Sequence, residues 1–253
     1  MRGLALLASA ALLALLLAGR GAAAAGPEPV EFRDGDLTLK AMLYRPEGNG
    51  PFPAVVAMHN CGGLVNASGT VATRYRDWGQ QLVKAGFVVL FPDSYGSRGL
   101  GNQCADRTQT VRADRERVAD ATAARRWLQQ QPEVKPDRIS LLGWSNGATG
   151  VLWAVRPRPG HEDRPDFRSA VVFYPGCRRL DTTAWSARVP TLILVGALDD
   201  WTSAQETTSV SGDEHGALCE IICAARVSEL IDARSGAREC GPGGDRGAKP
   251  PRS

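Results

Sequence analysis

The sequence predicts an α/β fold in which a mostly parallel β-sheet carries helices on both faces. Segments with strand and helix patterns alternate along the chain, which is typical of parallel sheets. Residues 54–58 and 87–91 are continuous apolar runs, as expected for strands that are buried on both faces. The 253 residues are enough for one sizeable domain and few for two.

The predicted domain begins with two antiparallel strands. Apolar residues alternate with others over 37–43, which indicates a half-buried strand. A shorter strand, 30–32, precedes it across the turn Asp34-Gly35-Asp36. The first buried strand, 54–58, then follows a stretch rich in glycine and proline.

Helices are expected between the later strands. Apolar residues recur at helical spacing between the two buried runs, and Gly86 ends that pattern. Residues 112–131 are charged on one side and apolar on the other, which predicts a crossover helix that Pro132 and Pro136 end.

Four more elements complete the expected core. They are a strand over 138–142, a helix over 148–155, and strands over 170–174 and 191–195. The alternation of strands and helices therefore continues up to the last of these strands.

The pattern changes after about Ser203. Only residues 218–231 are apolar at helical spacing, so a final helix is expected there and the last strand of the sheet could be missing. Residues 235–253 are rich in Gly, Arg, Pro and Ser, which predicts a disordered tail. The folded domain is expected to span 26–234.

The first 25 residues are typical of an export signal. Arg2 supplies the positive start, residues 4–18 form a short apolar core, and the alanines at 22–25 offer cleavage sites. A membrane span needs ~20 apolar residues, and Arg20 interrupts this one. We expect an exported chain with no stable membrane insertion after cleavage; an uncleaved anchor is the alternative.

Charge and cysteine spacing exclude two classes of partner. The net charge is +3 with both signs interspersed, so a nucleic-acid surface is not expected. The spacing Cys219-x-x-x-Cys223 lacks a second pair of ligands, so no zinc site is proposed. No cofactor is implied.

The motif Gly143-Trp144-Ser145-Asn146-Gly147 is the strongest indication of chemistry. It follows a predicted strand and precedes a predicted helix, which is the form of a nucleophile elbow. Glycine is expected at the two flanking positions because the turn is tight. The elbow would expose the Ser145 hydroxyl and aim the Asn146 N–H at an oxyanion. A serine in an ordinary strand-to-helix turn is the alternative.

A serine nucleophile needs an acid that orients its base. Ligands of a parallel sheet meet the loops at the carboxyl ends of the strands. Asp199 lies just beyond the strand 191–195, at that edge. Its neighbour Asp200 and the earlier Asp181 are the other candidates.

The base is harder to assign, because the chain has three histidines. His161 precedes a strand and would lie at the wrong edge. His59 ends strand 54–58, and its loop more often supplies oxyanion N–H groups. His215 follows in the order Ser, Asp, His, but lies only 16 residues after Asp199 (215 − 199). Either His215 reaches in from an unusual loop or the base is absent.

Two of the six cysteines are expected near the catalytic edge. Cys61 and Cys104 each follow the end of a predicted strand, and exported proteins meet an oxidising compartment. A Cys61–Cys104 disulfide and two buried thiols are both compatible with the sequence.

Five ordered motifs give the chain its resemblance to a known family. It resembles the dienelactone hydrolase branch of the α/β-hydrolases, in its exported bacterial form, over about residues 28 to 203. The motifs are His59-Asn60-Cys61-Gly62-Gly63-Leu64, Phe91-Pro92-Asp93-Ser94 with Arg98-Gly99, the segment 143–147, Phe173-Tyr174-Pro175-Gly176, and Gly196-Ala197-Leu198-Asp199-Asp200-Trp201.

The resemblance implies an α/β-hydrolase fold, Ser145 as nucleophile, Asp199 as triad acid, and Cys61 and Asn146 as oxyanion donors. Two departures stand out. Dienelactone hydrolase has a cysteine where this chain has Ser145, and the family's closing segment with its histidine is missing after Ser203.

Two hypotheses follow from these observations. The first is an exported periplasmic or secreted bacterial serine hydrolase that cleaves a small-molecule ester, lactone or thioester without a cofactor. The second is a catalytically inactive relative, or a truncated or frameshifted product, that keeps the elbow and lacks the triad histidine.

Overall fold

The computed structural model describes residues 26–106, 108, 110–157, 165–181, 185–199, 202, 207, 219–224 and 238–239. Its strands are β1 (Glu28–Asp34), β2 (Leu37–Tyr44), β3 (Phe52–Met58), β4 (Val88–Pro92), β5 (Val134–Trp144), β6 (Ala170–Phe173), β7 (Thr191–Gly196), β8 (Cys219–Ala224) and β9 (Arg238–Glu239). Its helices are α1 (Thr73–Lys84), α2 (Glu116–Gln129), α3 (Asn146–Val155) and the short α4 (Arg178–Asp181).

The strands form one sheet in the order β1-β2-β4-β3-β5-β6-β7-β8-β9. Strands β3 to β8 are parallel, whereas β1, β2 and β9 pair antiparallel with their neighbours. Helix α1 packs on one face, where Tyr75 joins the cluster around Trp144. Helices α2 and α3 pack on the other face, in the larger core cluster. The predicted α/β fold with a mostly parallel sheet is confirmed.

The expected elements up to β7 are present, with ends shifted by a few residues. The antiparallel strands β1 and β2 meet at a turn in which Gly35 has φ 58°. Gly86, which was predicted to end the first helix, has φ 86° directly after α1. Its backbone takes the left-handed conformation that a side chain disfavours.

The prediction of a helix over 218–231 is wrong for residues 219–224. Residues Cys219–Ala224 form β8, which pairs in parallel with β7 along its whole length, so a strand after β7 is present. A short apolar run fits either element by periodicity, and here the edge of β7 offers unpaired backbone groups. Within the predicted tail, Arg238–Glu239 pairs with β8, and the other residues of 235–253 lie outside the described residues.

Helix α2 differs from the prediction in which face is buried. The sequence predicts a charged side and an apolar side, yet Arg117, Asp120 and Arg125 are buried together with the apolar residues. Arg125 pairs with Asp166 at 2.8 Å, and this partner compensates its burial. Residue type alone is a poor guide to a helix face when charged side chains have buried partners.

The predicted export signal, residues 1–25, lies outside the described residues. Among the residues that are described, no helix has the length and apolar character needed to cross a bilayer.

The loop after β4 is held in place by an ion pair with α2. The two terminal guanidinium nitrogens of Arg98 donate to the buried carboxylate of Asp120, at 3.0 and 2.8 Å. Arg98 also donates to the Ser94 carbonyl at 2.7 Å. The interaction anchors the loop that borders the catalytic edge.

We expect Asp120→Ala to destabilise the protein, because it leaves the Arg98 cation without its carboxylate. Breaking a largely buried pair costs about 2–4 kcal/mol once the partial exposure of Arg98 is allowed for. Urea unfolding measures the change. Asp36→Ala, at an exposed carboxylate, should have little effect. Equal stabilities of the two variants would contradict the anchoring role.

Candidate active site

Ser145 lies at a strained turn between β5 and α3. Its φ is 51° and its ψ is −119°, a conformation that non-glycine residues avoid and that concentrates at functional sites. Its N–H donates to the Phe173 carbonyl at 3.0 Å, which joins the turn to the end of β6. The side chain is half-buried, and no hydrogen bond links its hydroxyl to another described residue. This is the geometry of a nucleophile elbow.

The glycines on either side of Ser145 are required sterically. A Cβ at Gly143 would lie 2.8 Å from the Ala148 nitrogen. A Cβ at Gly147 would overlap the carbonyl oxygens of Met58 and His59. The N-terminal turn of α3 therefore packs directly on the end of β3, and the predicted need for glycine at both positions is confirmed.

The two predicted oxyanion donors follow neighbouring strands at the same edge. Cys61 lies in the loop after β3, and β3 pairs with β5, which leads into Asn146. The Cys61 N–H makes no hydrogen bond within the described residues. The Asn146 N–H starts α3, and the first N–H groups of a helix have no acceptor inside it. Both N–H groups are thus available to a negatively charged oxygen.

Several contacts hold the loop that carries Cys61. The Asn60 N–H donates to the Tyr75 hydroxyl at 2.8 Å. The Asn60 side-chain oxygen accepts from the Gly62 N–H at 2.9 Å. A disulfide joins Cys61 to Cys104. Of the two states that the sequence allowed for this cysteine pair, the structure has the bonded one.

His59 is a structural residue in this geometry. It is fully buried, and its Nδ1 lies 2.8 Å from the Asn60 carbonyl, which can only accept, so Nδ1 carries the hydrogen. Its Nε2 accepts from the Ser94 N–H at 3.2 Å. Burial and the neighbouring charge of Arg117 lower the pKa of His59 well below its ordinary value. A neutral ring with both nitrogens engaged is not available as the base.

Arg117 is a buried cation beneath the same loop. Its guanidinium donates to the His59 carbonyl and lies 3.1 Å from the His59 Nε2. It also stacks over the ring of Tyr95, 5.3 Å from the centroid. The Tyr95 hydroxyl in turn donates to the Asn146 side chain at 3.0 Å. A polar network thus runs from α2 under β3 to the first residue of α3.

Asp199 lies beyond the end of β7, at the edge where the sequence predicted it. Its carboxylate accepts from the Thr202 N–H at 2.9 Å and from the Thr202 hydroxyl at 2.6 Å. The Tyr174 N–H donates to the Leu194 carbonyl, which brings β6 and β7 together below Asp199. Tyr174 follows Phe173 and has φ 41°, a second strained residue beside Ser145.

Three of the other candidates for the triad are not placed by the structure. His161, Asp200 and His215 lie outside the described residues. Asp181 is the last residue of α4. Ser145, Asp199 and the oxyanion donors are therefore brought to one edge, and the base remains a prediction.

Sequence reasoning missed Arg117, Tyr75 and Arg74. Arg117 is four residues from Ala121, a helical spacing that could have placed it on the buried face. Arg74 is exposed and donates to the Tyr174 hydroxyl at 3.3 Å. Burial raises the pKa of Tyr174, Arg74 lowers it and Asp199 raises it, so the three groups lie within electrostatic reach of one another.

A cleft of about 430 Å³ lies away from this site. Its lining includes Asp166, Arg188 and Pro190, which precede β6 and β7, at the opposite edge of the sheet. It therefore contributes nothing to the candidate active site.

Comparison with known proteins agrees with this geometry. The sequence model of the dienelactone hydrolase family matches residues 39–218. A Bradyrhizobium sp. protein named "Probable 2-oxo-3-(5-oxofuran-2-ylidene)propanoate lactonase" is 34% identical over 140 residues, which cover 53% of this chain and 50% of that protein. Esterase EstD of Thermotoga maritima is 30% identical over 126 residues, covering 48% of this chain and 29% of that protein. The chain thus matches half or less of the length of these relatives.

Solved structures with the same fold include two hydrolases. A promiscuous phosphotriesterase from metagenomic libraries, described as dienelactone hydrolase-like, has a TM-score of 0.61 at 20% identity over 80% of this chain and 82% of that chain. Esterase 2 of Thermogutta terrifontis has a TM-score of 0.58 at 19% identity over 83% of this chain and 94% of that chain. At these identities the likeness concerns the fold alone.

Protein stability should fall as the pH falls below about 6.5, because the unfolded chain protonates His59 and the folded protein does not. One such group contributes a slope of up to ~1.4 kcal/mol per pH unit. Urea unfolding between about pH 5 and 7.5 measures it. His59→Asn should reduce the slope, and His161→Asn should retain it. If the free energy of unfolding changed with pH equally in wild type and His59→Asn, the pH dependence would not come from His59.

Proposed function

The chain belongs to the dienelactone hydrolase family, a family of ester and lactone hydrolases, and we propose that it cleaves a carboxylic ester, lactone or thioester through an acyl-enzyme on Ser145. The observation that supports this is the strained conformation of Ser145 between two sterically required glycines. A fold that maintains such strain positions the hydroxyl for attack rather than for packing.

The proposed reaction has two steps. The Ser145 oxygen attacks the substrate carbonyl as its proton passes to His215, and the N–H groups of Cys61 and Asn146 stabilise the oxyanion. The tetrahedral intermediate collapses, and the leaving alcohol or thiol takes the proton from His215. A water molecule then attacks the acyl-enzyme by the same route and releases the acid. Asp199 would orient His215 and stabilise its charged form.

An inactive relative without a base is the second candidate, and the position of β8 favours it. Cys219 opens β8 opposite Thr191, the first residue of β7, whereas Asp199 follows the last residue of β7. The four residues from His215 to Cys219 can span at most ~14 Å. The six residues of β7 rise ~20 Å. The backbone from Cys219 to His215 is therefore shorter than β7 even when fully extended, and the two side chains would have to bridge at least the remaining ~6 Å to bring His215 to Asp199.

We infer that the substrate carries a carboxylate. Arg74 is exposed, lies at the Tyr174 hydroxyl and has no carboxylate partner within the described residues. The name of the Bradyrhizobium relative denotes a lactone ring that bears a propanoate group. Arg98, in the loop after β4, is already paired with Asp120. We therefore assign substrate carboxylate binding to Arg74 and the Tyr174 hydroxyl.

The proposed location is outside the cytoplasm. The export signal predicted over 1–25 would direct the domain 26–234 there, and the Cys61–Cys104 disulfide suits an oxidising compartment. The proposed substrate is then a small molecule that reaches the periplasm or the medium.

A fluorophosphonate should modify the mature protein at Ser145, since only an activated serine reacts rapidly. Intact and peptide mass spectrometry would locate the adduct. Ser145→Ala should abolish labelling and lower esterase activity about 10³-fold or more. Ser68→Ala, at an exposed loop serine, should change neither.

His215→Ala distinguishes the two candidates. If His215 is the base, the variant should lose activity about 10²–10⁴-fold and label slowly. No adduct on folded wild-type protein would refute the hydrolase proposal and support the inactive relative. Full activity of His215→Ala would remove His215 from the mechanism.

Arg74→Ala should raise KM for a lactone that bears a carboxylate about tenfold or more, because it removes a charge-assisted hydrogen bond. Its KM for a neutral p-nitrophenyl ester should stay the same. Arg76→Ala is the matched control, as Arg76 is exposed on the same helix and contacts Thr73. An equal rise in KM for both substrates would show that Arg74 does not bind a substrate carboxylate.

A further inference from the structure

Cys61 is attached to the loop after β4 at two points. Its side chain forms the disulfide with Cys104. Its carbonyl accepts a hydrogen bond from the Gln103 N–H at 2.8 Å. Its own N–H is the backbone group that remains unpaired within the described residues. Both attachments therefore act on the residue whose N–H direction matters for an oxyanion.

The segment that holds Cys61 is ordered by hydrogen bonds within the loop after β4 and by one ion pair with α2. The Cys104 N–H donates to the Asn102 side chain at 2.8 Å, and the Leu100 N–H donates to the Tyr95 carbonyl at 2.9 Å. Further along the same loop, Arg98 is fixed to the buried Asp120 on α2. The disulfide thus connects the oxyanion loop to a segment with several independent contacts.

The backbone after Cys61 is intrinsically flexible. Gly62 and Gly63 follow it directly, and Gly63 has φ 92°. Glycine accepts many backbone conformations, so the peptide planes around Cys61 can rotate unless hydrogen bonds or the disulfide restrain them. On one side the restraints act on Asn60: its N–H donates to the Tyr75 hydroxyl, its side chain accepts from the Gly62 N–H, and its carbonyl accepts from His59 Nδ1. The restraint on Cys61 itself comes from Gln103 and Cys104.

We propose that the Cys61–Cys104 disulfide positions the oxyanion hole, with Cys104 as a positioning residue that acts through Cys61; the inference rests on the proposed hydrolase function. A donor is effective only when it points at the site where charge develops, so loss of the tether weakens transition-state binding more than substrate binding. Opening the disulfide therefore lowers kcat and leaves KM nearly unchanged. Hydrolysis by this protein depends on an oxidising environment.

Opening the bond is a defined two-electron step. Dithiothreitol supplies two electrons and two protons to the Cys61–Cys104 bond. The products are two thiols on the protein and the cyclic disulfide of the reductant. Intact mass after alkylation of the thiols reports how many protein disulfides have opened, and peptide mass identifies this pair.

The test compares oxidised wild type, reduced wild type, Cys61→Ser, Cys104→Ser and the double variant on a p-nitrophenyl ester. We expect kcat to fall about 10- to 100-fold in the reduced protein and in each single variant, with KM within about threefold. The double variant should equal the single ones, because both substitutions break the same bond. It should also be insensitive to dithiothreitol, which excludes effects through the other cysteines.

A second readout separates positioning from folding. An aryl boronic acid, which forms a negatively charged adduct with the serine, should bind the opened forms more weakly by a factor similar to the loss in kcat. Circular dichroism should show a native fold at the assay temperature. Loss of that fold in both the reduced protein and the variants would assign the disulfide to folding and overturn the proposal.

Different results would refute the positioning role of the disulfide and the proposed hydrolase function. Unchanged kcat in protein whose Cys61–Cys104 bond is open would refute the positioning role and leave the hydrolase intact. An oxidised wild type that neither turns over an ester nor labels at Ser145 would refute the proposed function, and the positioning role with it.

Discussion

The direct packing of α3 on the end of β3 is the constraint on which the site depends. Gly147 brings the first turn of the helix against the carbonyls of Met58 and His59, where no side chain would fit. This contact sets the distance between the two predicted oxyanion donors, since one follows β3 and the other begins α3. The strain at Ser145 is maintained because the sheet and helix on either side are rigid.

A buried polar network supports that contact from below. Arg117 has no exposed surface, and its charge is offset by the His59 carbonyl, the face of Tyr95 and nearby carboxylates. Burial lowers its pKa, but an arginine remains charged in this range. A cation of this kind under the catalytic edge favours negative charge above it, which suits an oxyanion. The network is one reason why His59 is structural rather than catalytic.

The site is built from elements of unequal rigidity. The elbow and the β3 loop are tied to the core by backbone packing, by Tyr75 and by the disulfide. Asp199 lies on a turn beyond β7, next to residues that form the outer part of the sheet. Substrate specificity belongs to the loops at this edge, because the same fold supports many hydrolytic reactions.

The sequence by itself determined the fold class, the elbow and the edge of the sheet where the candidate active site lies. These follow from local signals: apolar runs mark parallel strands, and glycines at fixed spacing mark a turn that only they allow. Only the tertiary structure decided that Cys219–Ala224 is a strand and that Arg117 is buried. Both depend on distant partners, the open edge of β7 and the carbonyl of His59; helical spacing can place Arg117 on the buried face, but it does not supply the partner that a buried cation needs.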